Sequence, residues 1–178
     1  MNNSPIGVYD SGFGGLSVWR EIHRRLPEES LLYLGDGKNC PYGGRSREEI
    51  TAFAREAVGR LIGEGVKMVV VGCNTATTAA VDALRAEWPD IPIVGLEPAV
   101  KPACLSSRTR RIAVLATAHS LQSDMFLNTA RRYAADVEVI KVEGRGFVEL
   151  VEASEEDSPK AERLVREVVE PLLDKGVD

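Results

Sequence analysis

The chain is short of the residues that mark a secreted or metal-stapled scaffold, with three cysteines and two histidines in 178 residues. Cys40, Cys73 and Cys104 are widely spaced and odd in number, which suits reduced thiols in the cytoplasm better than a disulfide framework. With only His23 and His119 beside them and no close ligand pair, no metal site is expected. The opening MNNSPIGVYD has no charged stretch ahead of an apolar one, so no secretory signal is expected. No apolar run approaches the ~20 residues that span a bilayer, so no membrane partner is expected either. A net charge of −5 leaves no basic footprint for nucleic acid. The charges are spread along helical stretches and read as solvated faces.

What the chain does have is alternation. Short runs rich in Val and Ile alternate with stretches of helical period, the pattern of an α/β protein with a mainly parallel sheet. Strands are expected at Ile6–Tyr9, Leu31–Leu34, Lys67–Val71, Ile91–Val94, Arg111–Leu115 and Val137–Val142. Helices are expected near 15–26, 46–63, 75–87, 98–105, 120–134 and 159–174, with a shorter one near 146–153. Ser46 and Glu49 form an S-x-x-E capping box, Gly63 and Gly65 offer an exit from that helix, and Trp88-Pro89 closes the next. Two prolines in GLEPAVKPA place a domain boundary near Leu96–Pro98, dividing the chain into 1–97 and 98–178.

Three segments share one plan: IGVYDSGFGG, MVVVGCNTAT and IAVLATAHSL each read as strand, small or hydroxyl residues, then helix. In an open parallel sheet, ligands bind at the strands' carboxyl ends, beside helix N-termini that favour anions. Those ends carry Asp10 and Ser11, then Cys73, Asn74 and Thr75, then Thr117 and Ser120. Cys73 precedes a helix that Asn74 or Thr75 can cap. At a helix N-terminus a thiol is expected to ionise more easily and to be reachable past small neighbours. A buried, inert thiol is the alternative. The reading therefore needs an accessible Cys73 and anion-sized space beside Asp10 and Tyr42.

Gly12-Phe13-Gly14-Gly15 invites a dinucleotide reading, but G-x-G-x-x-G needs glycine where Ser17 stands, so a tight turn beside a small ligand is favoured. The loop Gly35–Arg45, with four glycines, a proline and a tyrosine, is a candidate lid or a structural turn. Cys40 is read as incidental to it, Cys104 as core and His119 as structural.

VYDSGFGGLSV, CPYGGRS, VVGCNTATTAA and LATAHSLQSDMF, in that order, resemble the signatures of the glutamate racemases, whose wider family includes aspartate and hydantoin racemases and arylmalonate decarboxylases. The resemblance implies two similar α/β domains with helices on both faces, the chain ending within the second. It implies racemisation of glutamate for peptidoglycan precursors, without cofactor, by two cysteines on opposite faces of the α-carbon. On that basis Cys73 is one acid/base and Asp10 handles its proton. Ser11, Pro41, Tyr42, Gly43, Asn74 and Thr75 hold the substrate, joined by Thr117 and by Ser120, which replaces a more usual threonine. Glu152 assists from the far side. The resemblance also implies a cytoplasmic enzyme and a homodimer, as is common in the family.

Two departures stand out. Glu143-Gly144-Arg145 replaces the family's usual segment, and the second catalytic segment is expected just after PLLDKGVD, where this chain stops at Asp178. The chain alone is therefore expected to be nearly inactive. Two alternatives stay open: a racemase or decarboxylase of another small acid on the same scaffold, and a non-catalytic carboxylate-binding remnant.

Overall fold

The computed structural model describes residues 3–178. The chain divides into two compact units, the first running to Leu96 and the second spanning Glu97–Asp178.

The first unit alternates strictly: β1 (Ile6–Asp10), α1 (Leu16–Arg25), β2 (Leu31–Gly35), α2 (Arg47–Gly63), β3 (Met68–Val71), α3 (Asn74–Glu87) and β4 (Ile93–Gly95). Its four strands are parallel in the order β2-β1-β3-β4. Residues along a strand face alternate sides. Ile6 and Val8, with Val70, pack against Val18, Trp19 and Ile22 of α1. A Cβ on Gly7 would lie 3.1 Å from Leu61 of α2, so the sheet is covered on both faces. All five residues of β1 are buried, as a central strand of such a sheet requires.

Local chemistry sets the ends of the elements. Ser46 and Glu49 make the full reciprocal capping box at the start of α2. Gly65, with φ of +79°, takes the chain out of that helix through the left-handed region. Trp88, ahead of Pro89, caps the end of α3 outside the helical region, at φ −124° and ψ 70°.

The second unit holds α4 (Val100–Ser106), β5 (Arg111–Ala116), α5 (Ala118–Gln122), α6 (Asp124–Tyr133), β6 (Glu138–Glu143), α7 (Phe147–Glu152) and α8 (Pro159–Leu173). β5 and β6 are parallel neighbours. Val100, Cys104, Ile112, Leu121, Phe126 and Val137 form the core of this unit.

One expected helix is two. The run 120–134 breaks at Ser123, which sits at φ −66°, ψ 146°, and its side chain accepts from the Phe126 amide to cap α6. Serine competes for backbone partners and so favours a cap over a helix interior. The helix expected from 98 starts at Val100 with Ala99 as its N-cap, so Pro98 lies outside it and Pro102 in its first turn.

Among the described residues, no helix is long and apolar enough to cross a membrane.

Candidate active site

The sheet order reverses at β1, which has β2 on one side and β3 on the other. Such a switch point opens a crevice at the strands' carboxyl ends. Asp10 and Ser11 leave β1 there, and Cys73 leaves β3. The Gly72 amide donates to the Tyr9 carbonyl at 2.7 Å, locking the two tips in register.

Glycine is required at this point. A Cβ on Gly15 would stand 2.6 Å from Asp10 Cβ, and one on Gly72 would stand 3.3 Å from Gly15 Cα. The Gly12–Gly15 turn thus folds directly over Asp10, and the Gly12 amide donates to Asp10 Oδ2 at 2.9 Å. Asp10 is 5 % exposed.

Cys73 departs from the expectation in three ways. It is itself the N-cap of α3, with Sγ accepting from the Ala76 amide at 3.3 Å, so neither Asn74 nor Thr75 plays that part. Its Sγ lies 3.4 Å from Ser11 Oγ. Engaged with both, the thiol is only 7 % exposed and is not open to solvent as expected. Burial first, and the negative charge of Asp10 second, push its pKa up, against the opposing bonds from Ser11 and Ala76. Desolvation outweighs the helix terminus here, and the thiol rests protonated.

Tyr42 also differs. It is buried, and its hydroxyl donates to Asp36 Oδ2 at 2.6 Å and lies 2.7 Å from the hydroxyl of Tyr9. Its side chain is therefore committed within the protein, leaving main chain as what the segment offers a ligand. Pro41 and Gly43 flank it, Pro41 exposed and Gly43 half-buried. Asn74 is exposed at the first turn of α3 and Thr75 is buried. A hollow of about 230 Å³ is lined by residues of β2 and α2 and by Asp36, among them Tyr33, Phe53, Glu56 and Arg60. It reaches neither Asp10 nor Cys73.

In the second unit, Thr117 leaves β5 and caps α5, accepting from the Ser120 amide at 3.3 Å and donating to Ser120 Oγ at 3.1 Å. Ser120 is 1 % exposed. Glu152 ends α7 and is half-buried. Cys104 lies in the core of the second unit, and Cys40 lies in the loop after β2. The structure thus gathers Asp10, Ser11 and Cys73 at one switch point and pairs Thr117 with Ser120 in the other unit. Two contributors escaped sequence reasoning, Tyr9 and Asp36. The period-two pattern of β1 put Tyr9 on the face of Gly7, but nothing in one sequence pairs it with Tyr42.

The sequence profile of the Asp/Glu/hydantoin racemases matches residues 6–178. The glutamate racemase of Roseiflexus sp. (strain RS-1) is 47 % identical over 98 % of this chain and 64 % of its own length. That of Ectopseudomonas mendocina is 47 % identical over 100 % of this chain and 68 % of its own. The chain thus spans about two-thirds of the length of these relatives. Among solved structures, glutamate racemase RacE1 of Bacillus anthracis superposes with a TM-score of 0.81 at 35 % identity, covering 97 % of this chain and 65 % of that one. The Francisella tularensis glutamate racemase in complex with D-glutamate gives 0.83 at 28 % identity, over 99 % and 66 %. The chain belongs to the Asp/Glu/hydantoin racemase family.

Proposed function

We propose that this chain supplies one acid/base and part of the carboxylate cradle of a cofactor-independent glutamate racemase, serving the supply of D-glutamate to peptidoglycan precursors in the cytoplasm. The reading rests on one observation: Cys73 Sγ, at the end of β3, lies 3.4 Å from Ser11 Oγ while the negative charge of Asp10 acts on it. The identity to named glutamate racemases favours glutamate over a shorter acid.

Cys73 is buried rather than accessible as expected from the sequence, and the hollow beside α2 does not reach it, so the substrate itself must open and ionise the site. Removing an α-proton requires the thiolate, and the resting thiol is neutral. On this reading Asp10, whose charge acts on the sulfur, takes its proton. The arriving substrate brings its own ammonium, whose positive charge offsets Asp10 and favours the thiolate. Ser11, Asn74, Thr75 and the main chain of Pro41–Gly43 hold the substrate in the first unit; for the second unit, the family resemblance implies substrate-binding roles for Thr117 and Ser120 and an assisting role for Glu152. A homodimer is the proposed assembly.

Racemisation needs a second acid/base on the opposite face. Cys104 lies in the core of the second unit and Cys40 lies in a loop, so neither is assigned that role. A missing positioned acid/base costs about 10²- to 10⁴-fold. The 178 residues alone should therefore bind glutamate, exchange the α-proton of one enantiomer with D₂O, and racemise it slowly. Proton NMR of each enantiomer in D₂O tests this. Exchange in one enantiomer that vanishes in Cys73→Ala supports the assignment. Exchange unchanged by that substitution removes Cys73 from the chemistry, and racemisation at full enzymatic rates means another cysteine serves the second face.

A further inference from the structure

Tyr9 is fully buried in the central strand, where phenylalanine would fill the same space without a polar atom to satisfy. Its hydroxyl is 2.7 Å from that of Tyr42. Tyr42 spends its single proton on Asp36 Oδ2 at 2.6 Å, so its oxygen accepts from Tyr9. Asn39 Nδ2 donates to both Asp36 oxygens, at 3.0 and 2.9 Å, and completes the chain.

The main chain gives this network its purpose. The Asp36 amide donates to the Asp10 carbonyl at 2.9 Å, and the Asp36 carbonyl accepts from the amides of Asn39 and Cys40. The loop is therefore clamped at both ends to consecutive residues of β1, to Asp10 through Asp36 and to Tyr9 through Tyr42. The Phe53 ring, 5.7 Å from that of Tyr42, backs the second clamp. Pro41 lies just before the second clamp, Tyr42 is that clamp and Gly43 follows it, while Asp10 and Cys73 stand at the carboxyl ends of the same sheet.

We propose that Tyr9 is a positioning residue: its hydroxyl, acting through Tyr42 and Asp36, sets the place of the Pro41–Gly43 main chain against the strand tips and so governs affinity for a substrate carboxylate. This rests on the reading that the segment contacts glutamate. Tyr9 touches no substrate, and its part differs from that of a purely structural hydroxyl in what its removal changes.

The experiment is titration of L- and D-glutamate into the 178-residue chain by calorimetry, with thermal melting of the same samples. It compares wild type, Tyr9→Phe, Tyr42→Phe, the double variant, and Ser46→Ala as a variant weakened elsewhere. Tyr9→Phe is expected to bind about tenfold more weakly, the worth of one well-placed hydrogen bond. Ser46→Ala, whose cap lies outside the loop, should melt earlier and bind as wild type. The double variant should bind no more weakly than Tyr42→Phe alone, because either substitution breaks the same chain.

Wild-type affinity in Tyr9→Phe overturns the inference and leaves the functional reading standing. Losses that add in the double variant overturn it as well, since the hydroxyls would then act separately. Should Tyr9→Phe fail to fold, Tyr42→Phe decides in the same way: unchanged affinity there overturns the proposal. Absence of binding by the wild-type chain overturns the functional reading and this inference with it.

Discussion

At Cys73 two expectations from elementary chemistry compete, and burial prevails over the helix terminus. The consequence is measurable as reactivity. With its pKa raised, the Cys73 thiol carries little thiolate at neutral pH and should be alkylated slowly. Cys104, 1 % exposed, should be similarly slow, while the half-buried Cys40 should react first. Peptide mapping after timed iodoacetamide treatment at pH 7.5 checks the order, and Cys73 labelled ahead of Cys40 contradicts it. The same shift bears on stability. Cys73 in the fold, and Tyr9 and Tyr42 with it, hold their protons to higher pH than in the unfolded chain. Above about pH 8.5 for cysteine and about pH 10 for tyrosine, the unfolded state therefore binds fewer protons than the folded one. Stability is full below those values and falls as pH rises through them. Urea melts from pH 8 to 11 should show this decline, flattened at its lower end by Cys73→Ala and at its upper end by Tyr9→Phe.

The connections between elements depend on close approach. Thr77, one turn into α3, accepts from the Leu96 amide at 3.1 Å where β4 hands the chain on. A Cβ on Gly95 would stand 2.5 Å from Thr77 Cγ2. Gly95→Ala should therefore cost about 1–3 kcal/mol through overpacking. Chemical denaturation is the check, and a neutral result would mean that α3 and β4 part more freely than their packing suggests. Much at this scale was legible in the sequence, because its signals are local. Valine and isoleucine runs marked the strands, and Ser46 with Glu49 marked the start of α2. The split at Ser123 was not legible, because the surrounding residues keep a helical period across it. The burial of Cys73 was hidden for another reason: Ser11, which holds the sulfur, lies 62 positions away. The Tyr9–Tyr42 pair spans 33 positions and was equally silent.

Over the whole molecule the two units differ in how well they enclose their strands. Every residue of β1 is buried between flanking strands, whereas β6 has no fully buried residue. In the second unit, α8 leaves Val165, Val169 and Leu173 exposed at 45, 36 and 60 %. Opening free energy follows local burial, so amide hydrogen exchange should be slowest in β1 and β3 and faster in β5 and β6. Equal protection in both sheets would show one cooperative unit. The cap of α3 carries a consequence of another kind. A sulfur that closes the first turn of a helix cannot be derivatised without undoing that closure. Oxidation by peroxide, slow for the same want of thiolate but complete on long exposure, should loosen the start of α3 while it silences the thiol. One lesion would then be read twice, as chemical inactivation and as a frayed helix.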